Sequence, residues 1–182
     1  EDFVKALGIE CVGREKLSWV DELTPEKIQR AFCPEIEECE PYKIEAVAPP
    51  RPPVLCPGCS HRGFFYELRK FKDIVVSGDI GCYTLGASPP LSAIDSVLCM
   101  GASISGAIGF EKSNIKAERQ QKVFAVIGDS TFFHSGLTGL IDAVVNKAKI
   151  VICILDNRIT AMTGHQDNPG TGFTLMGQPT EK

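Results

Sequence analysis

Two uninterrupted aliphatic runs constrain this chain more than any other feature. They are Val123-Phe124-Ala125-Val126-Ile127 and the six residues from Ile150 to Leu155. A strand with one wet face alternates apolar and polar residues. A short run with no alternation reads as a strand covered on both faces, the signature of a parallel sheet. The first run stops at Gly128-Asp129 and the second at Asp156-Asn157. Between them, Leu137 to Lys147 reads as a helix. A third short strand, Ile74-Val75-Val76, ends at Gly78-Asp79. His61 to Phe71 reads as an amphipathic helix with Phe64, Phe65, Leu68 and Phe71 on its apolar side. Gly81 to Asp95 is loop-rich, and Gly101 to Phe110 is a helix of small residues. Strands alternating with helices predict a doubly wound α/β fold, a mostly parallel sheet flanked by helices.

Residues 1 to 50 read differently, as an N-terminal helical extension and linker. Asp2 to Leu7 suits a short helix. Thr24 is a natural N-cap with Pro25 in the first helical position, and that helix runs to about Phe32. A charged stretch, Glu35 to Glu40, follows. Ala48-Pro49-Pro50-Arg51-Pro52-Pro53 is an extended, semi-rigid segment that marks a domain boundary, with residues 51–182 as the ligand-binding domain. No internal repeat is visible. A chain that opens on Glu1, without a signal peptide, is read as a piece of a longer polypeptide.

Composition removes several function classes. The net charge is −4 and no basic run is present, which argues against nucleic acid as a partner. The longest apolar run, Ile150 to Leu155, lies between Lys149 and Asp156, far short of the roughly 20 residues a bilayer requires. The cysteines, eight in all, are read as reduced in a cytoplasmic setting, with a subset available to metal. Cys153, inside an aliphatic run, and Cys99 are read as small buried hydrophobes.

The chemistry concentrates between Val123 and Asn157. A right-handed crossover makes the two long strands parallel neighbours whose carboxyl ends share one rim, where open α/β sheets bind ligands. Asp129 and Asn157 then arrive together. A carboxylate and an amide oxygen are hard ligands suited to Mg²⁺, which takes a few protein oxygens and completes its shell with water and phosphate. The Ile159 carbonyl is the natural third donor. Gly128 allows a sharp turn at the strand end. Amides or hydroxyls of Ser130 and Thr131 can meet a phosphate oxygen. The competing reading makes Asp129 and Asn157 simple turn caps.

Cys56-Pro57-Gly58-Cys59 has metal-ligand spacing, with Cys82 the best third ligand. His61 can meet a phosphate or cap its helix. His134 and His165 fall in rim loops near a substrate, and Met100 and Met162 are read as packing. Ser130, Asp156 and His165 occur in the order of a hydrolase triad. The nucleophile elbow wants Gly on both sides, however, and Phe132 stands where the second is required.

The motif Gly128-Asp129-Ser130 … Asn157 resembles the thiamine diphosphate motif, which begins Gly-Asp-Gly and ends at an Asn nearly thirty residues on; Ser130 replaces the second Gly. Four further segments flank it in order along the chain: Leu55-Cys56-Pro57-Gly58-Cys59-Ser60-His61-Arg62, Gly78-Asp79-Ile80-Gly81-Cys82-Tyr83-Thr84-Leu85-Gly86 and Leu98-Cys99-Met100-Gly101-Ala102-Ser103 before it, and Thr160-Ala161-Met162-Thr163-Gly164-His165-Gln166 after it. Together they resemble the large subunits of indolepyruvate-type 2-oxoacid:ferredoxin oxidoreductases. The resemblance is dense over residues 51 to about 172 and faint before that.

It implies a thiamine diphosphate-binding fold and a reaction, the oxidative decarboxylation of an aryl 2-oxoacid to acyl-coenzyme A with ferredoxin as electron acceptor. It implies that Asp129, Asn157 and the Ile159 carbonyl hold Mg²⁺. Gly81, Cys82, Gly101, Ala102 and Ser103 would line the diphosphate and thiazolium end, with Thr163 and Gly164 closing over it. Related oxidoreductases hold an iron–sulfur cluster with cysteines matching Cys56, Cys59 and Cys82 and a later fourth; here no cysteine follows Cys153. The resemblance also implies a pyrimidine-binding domain carrying the activating glutamate, a ferredoxin-type domain in the same longer chain, and a smaller second subunit, so this piece alone is expected to be inactive. Two other readings stay open: a non-oxidative thiamine diphosphate-dependent decarboxylase or synthase domain, and a cysteine metal-binding module.

Overall fold

The structure, a computed structural model, describes residues 1–36 and 48–180. The charged residues Glu37 to Glu40, Cys39 among them, lie outside the described residues. The chain divides into two compact units, Glu1–Pro50 and Arg51–Lys182.

The first unit holds α1 (Asp2–Ala6) and α2 (Pro25–Phe32). The Thr24 side chain accepts a hydrogen bond from the Lys27 amide, so the cap and the Pro25 start fall where the sequence places them.

The second unit runs α3 (Ser60–Leu68), β1 (Ile74–Gly78), a 3₁₀ helix (Cys82–Ala87), β2 (Ser96–Val97), α4 (Ala102–Lys116), β3 (Lys122–Gly128), α5 (Asp129–Thr131), a π-helical turn (Phe132–Gly136), α6 (Leu137–Val145) and β4 (Ile150–Leu155). All pairings are parallel and the strand order is β2-β1-β3-β4. From β1 the chain winds outward to β2, then returns through α4 to β3 on the other side of β1. The winding therefore reverses between β1 and β3, the switch point at which doubly wound sheets open a crevice.

The aliphatic runs are explained by the helical layers packed on the two faces of the sheet. Val76, Phe124, Val126, Cys153 and Leu155 pack with Phe65 and Leu68 of α3. Val123, Ala125, Ile127, Ile150 and Ile152 pack with Ile104, Ala107 and Ile108 of α4 and with Leu140 and Ala143 of α6. Alternate residues thus serve opposite layers; β3 is covered on both sides, whereas β4, at the edge of the sheet, leaves Val151 and Ile154 exposed. Phe65, Ile104 and Ile127 are fully buried; each contributes about 1.5–3 kcal/mol by leaving water.

Three local expectations need correction. Phe71 does not belong to the buried face of α3: the helix ends at Leu68, and Phe71 lies beyond it, 61% exposed. The helical segment after β3 is longer than the expected one: α6 starts at Leu137 as placed, but helical backbone precedes it. The segment begins at Asp129 and passes through the π turn, a geometry common at functional sites. Gly128 does not make a sharp turn. Its backbone is ordinary extended chain (φ −82°, ψ 162°), and what requires glycine is the Tyr83 ring, whose Cε1 would lie 2.3 Å from an added Cβ.

Candidate functional site

Two strands end in Gly-Asp, and the structure uses them differently. Asp79, at the end of β1, is fully buried. Its Oδ1 accepts the Ile80 and Gly101 amides (2.8 Å each) and its Oδ2 accepts the Ser103 amide (2.9 Å). Asp79 therefore ties the β1 rim to the start of α4, where Gly101 adopts the left-handed φ of +86°. Asp129, at the end of β3, is also buried. Its Oδ2 accepts only the Asn168 side-chain amide (2.9 Å). Among the described residues no lysine, arginine or histidine forms an ion pair with it. A buried carboxylate without a cation is costly unless something fills that role.

Asp129 faces a cavity of about 150 Å³ at the carboxyl ends of β1, β3 and β4. Gly128 pairs with Leu155 in the β3–β4 register, so Asp129 and Asn157 leave neighbouring strand ends on one rim. Both line the cavity, as do Ile159, Ser130, Thr131, Gly81, Cys82 and Thr163. Asn157 Oδ1 accepts the Ile159 amide (3.2 Å) and Asp156 Oδ1 the Arg158 amide (2.8 Å), so both also close short turns. The loop after β4 is held over the cavity by Thr160, which donates to Ser130 Oγ (2.9 Å), and by a two-way backbone bridge between Thr160 and Gln166. Gln166 in turn grips Thr163 through that residue's hydroxyl and carbonyl (2.6 Å each).

Other expected site residues stand elsewhere. Gly101, Ala102 and Ser103 do not line the cavity. The Gly101 and Ser103 amides are taken by Asp79, and the Ala102 amide donates to the Cys99 carbonyl. Gly164 (φ +118°) sits in the loop behind Thr163. Cys56 is exposed; Cys59 and Cys82 pack against the same apolar cluster. Burial pushes the Cys82 thiol up, and the neighbouring Cys59 and Cys56 push it further. Among the described residues no group of three His, Cys, Asp or Glu side chains is placed to hold a metal ion. Cys99 is exposed, unlike the partly buried Cys153, because it belongs to a surface turn rather than to a strand. Met100 and Met162 are exposed and line the cavity instead of packing a core.

The histidines exchange roles. His134 and His165 do not line the cavity, whereas His61 does. His61 is buried in the first turn of α3, edge-on to Tyr83 with ring centroids 6.3 Å apart. Burial holds its imidazole below the ordinary pKa, an effect the Asp129 carboxylate opposes. No hydrolase triad is assembled, since Ser130 pairs with Thr160 and His165 lies outside the cavity.

His61 was legible as a candidate to meet a phosphate; Tyr83 and Asn168 were not legible as site residues. Tyr83 donates its hydroxyl to the Ile80 carbonyl (2.8 Å) and meets the Thr131 hydroxyl (3.1 Å) across the switch point. The one available signal for Tyr83 was its place directly after Gly81-Cys82.

Comparison with known proteins agrees with this geometry. The family model described as thiamine pyrophosphate enzyme, C-terminal TPP binding domain, matches residues 79–181, more than half of the chain. The chain is 49% identical over 143 residues to indolepyruvate oxidoreductase subunit IorA of Archaeoglobus fulgidus, covering 76% of this chain and 22% of that protein. It is 41% identical over 197 aligned positions to the same-named subunit of Pyrococcus abyssi (96% of this chain, 30% of that one). Against that of Methanothermobacter thermautotrophicus it is 47% identical over 153 residues (79% and 23%). The chain thus spans under a third of the length of the curated relatives it matches. With its parallel sheet, its switch-point cavity and its family match, the chain belongs to the C-terminal TPP binding domains of thiamine pyrophosphate enzymes.

Proposed function

We propose that this chain is the diphosphate- and Mg²⁺-binding domain of a thiamine diphosphate-dependent oxidoreductase of the indolepyruvate type. The observation that carries the reading is the buried Asp129 carboxylate, which has no counter-cation among the described residues and shares its cavity with Asn157 and Ile159. Those three residues supply carboxylate, amide and carbonyl oxygens, the hard donor set that Mg²⁺ takes. Ser130 and Thr131 stand at the same strand end and offer hydroxyls to a phosphate. Gly81 and Cys82 line the same cavity, and Thr160 to Thr163 of the loop after β4 border it. When bound, thiamine diphosphate supplies the carbanion chemistry that 2-oxoacid decarboxylation needs, while the protein binds and orients it. The buried imidazole of His61, its pKa lowered by burial against the opposing pull of Asp129, lines the same cavity.

The names of the relatives support an indolepyruvate-oxidising subunit. On this reading the whole enzyme passes electrons through iron–sulfur clusters to ferredoxin and the acyl group to coenzyme A. The activating glutamate belongs to a pyrimidine-binding domain in the same longer chain, which also carries a ferredoxin-type domain and pairs with a smaller subunit. The free thiols among the described residues suit a reducing cytoplasmic compartment, and no helix among those residues is long and apolar enough to cross a membrane.

Calorimetric titration of thiamine diphosphate and Mg²⁺ into the intact assembly tests the reading. Wild type binds, and Asp129→Ala, which removes a ligand itself, loses at least the roughly tenfold in affinity that losing an outer partner of a ligand costs. Equal affinities in the two proteins remove Asp129 from the site and the proposal with it.

A further inference from the structure

Asn168 lies 39 positions from Asp129 in sequence, yet its side chain is buried against it. Both ends of the amide are engaged. Oδ1 accepts the Gly170 amide (2.9 Å), which identifies the oxygen end and leaves Nδ2 to donate to Asp129 Oδ2 (2.9 Å). The Asn168 carbonyl accepts the amide and the hydroxyl of Thr171 (3.0 and 2.9 Å), closing the turn that presents the side chain. An anchored, uncharged donor thus occupies one oxygen of the carboxylate. The other accepts no hydrogen bond among the described residues.

A carboxylate can meet a cation with one oxygen or with two. Mg²⁺ is small, demands near-octahedral geometry and takes carboxylates through one oxygen; Ca²⁺ is larger and accepts two. We propose that Asn168 is the positioning residue of Asp129, withholding one carboxylate oxygen from the metal and so favouring Mg²⁺ over Ca²⁺. The inference rests on Asp129 being a metal ligand. It goes further by assigning the cation preference to a residue that touches only the ligand. A neutral amide suits this role because a cationic partner in its place would repel the divalent ion.

The test is calorimetry on the intact assembly, titrating Mg²⁺ and, separately, Ca²⁺ in the presence of thiamine diphosphate, with the melting temperature of each metal-free protein measured alongside. Asn168→Ala is expected to weaken Mg²⁺ binding about tenfold or more, as loss of an outer partner of a metal ligand does. Ca²⁺ binding weakens less, so the Mg²⁺/Ca²⁺ ratio falls. Thr171→Ala loosens the same turn but keeps the amide on Asp129; its ratio stays that of wild type. If Asn168→Ala keeps the wild-type ratio, or Thr171→Ala lowers it equally, the residue has only a structural role and the inference is wrong. If wild type binds neither cation, the underlying reading of Asp129 fails as well, and that outcome is distinct from the other two.

Discussion

Gly128→Ala isolates the tightest approach at the switch point. The added Cβ would lie 2.3 Å from Tyr83 Cε1 and 3.1–3.2 Å from Cζ and Cδ1. The ring cannot swing away freely, because it is 5% exposed and its hydroxyl is held at Ile80 and Thr131. Overpacking of this kind costs about 1–3 kcal/mol, and displacing the hydroxyl forfeits about 1 kcal/mol per hydrogen bond. Against this, alanine at an ordinary extended backbone (φ −82°, ψ 162°) gains about 0.4–1 kcal/mol by restricting the unfolded chain. The net expectation is a loss of about 2 kcal/mol, which lowers the melting temperature by about 4–8 °C for a chain of this size. Urea denaturation followed by circular dichroism measures it. The informative comparison is the same change made in a Tyr83→Leu background. With the ring's outer carbons gone, Gly128→Ala should become stabilising by about 0.5 kcal/mol. A destabilisation of the same size in both backgrounds would refute the steric argument and restore a backbone reason for the glycine.

Asp79→Ala strips the Ile80, Gly101 and Ser103 amides of their acceptor at a fully buried site; equilibrium denaturation should show a loss of about 3 kcal/mol or more, and a loss under about 1 kcal/mol would mean that water replaces the carboxylate. The His61 imidazole should titrate below about 6.5 by NMR, and lower still in Asp129→Asn, where the opposing charge is gone. Since its folded pKa is depressed, the stability it contributes is complete above about pH 6.5 and disappears as pH falls through the folded value; His61→Gln should flatten that part of the stability–pH curve. Iodoacetamide at neutral pH should modify the exposed Cys56 and Cys99 before Cys82 and Cys153, whose thiols burial pushes up; mass spectrometry reads the order, and early labelling of Cys153 would contradict the packing of β4.

The sheet was legible because neither Val123–Ile127, covered on both sides, nor Ile150–Leu155, whose edge position exposes Val151 and Ile154, carries a polar alternation that could be mistaken for a hairpin. Asp129 and Asn157 were legible for a related reason: their places after two adjacent parallel strands follow from crossover handedness alone. What escaped depends on contacts distant in sequence. Tyr83 meets Thr131 48 residues away, and Asn168 meets Asp129 across 39. Nothing local distinguishes Asp79 from Asp129. Both follow an aliphatic strand and a glycine, and only the return of α4 decides which of them is satisfied by amides. β2 is two residues long and leaves no periodicity to read.

The Asp79 arrangement bears on where an anion can be received. The amino terminus of α4, a place where a fold commonly receives an anion, is occupied by the protein's own carboxylate. Asp79 is fully buried beneath these amides, and Asp129 is the carboxylate that lines the cavity. On the proposed function, the diphosphate is therefore received at the ends of β3 and β4, where a divalent ion held by Asp129 would offset the repulsion between carboxylate and phosphate.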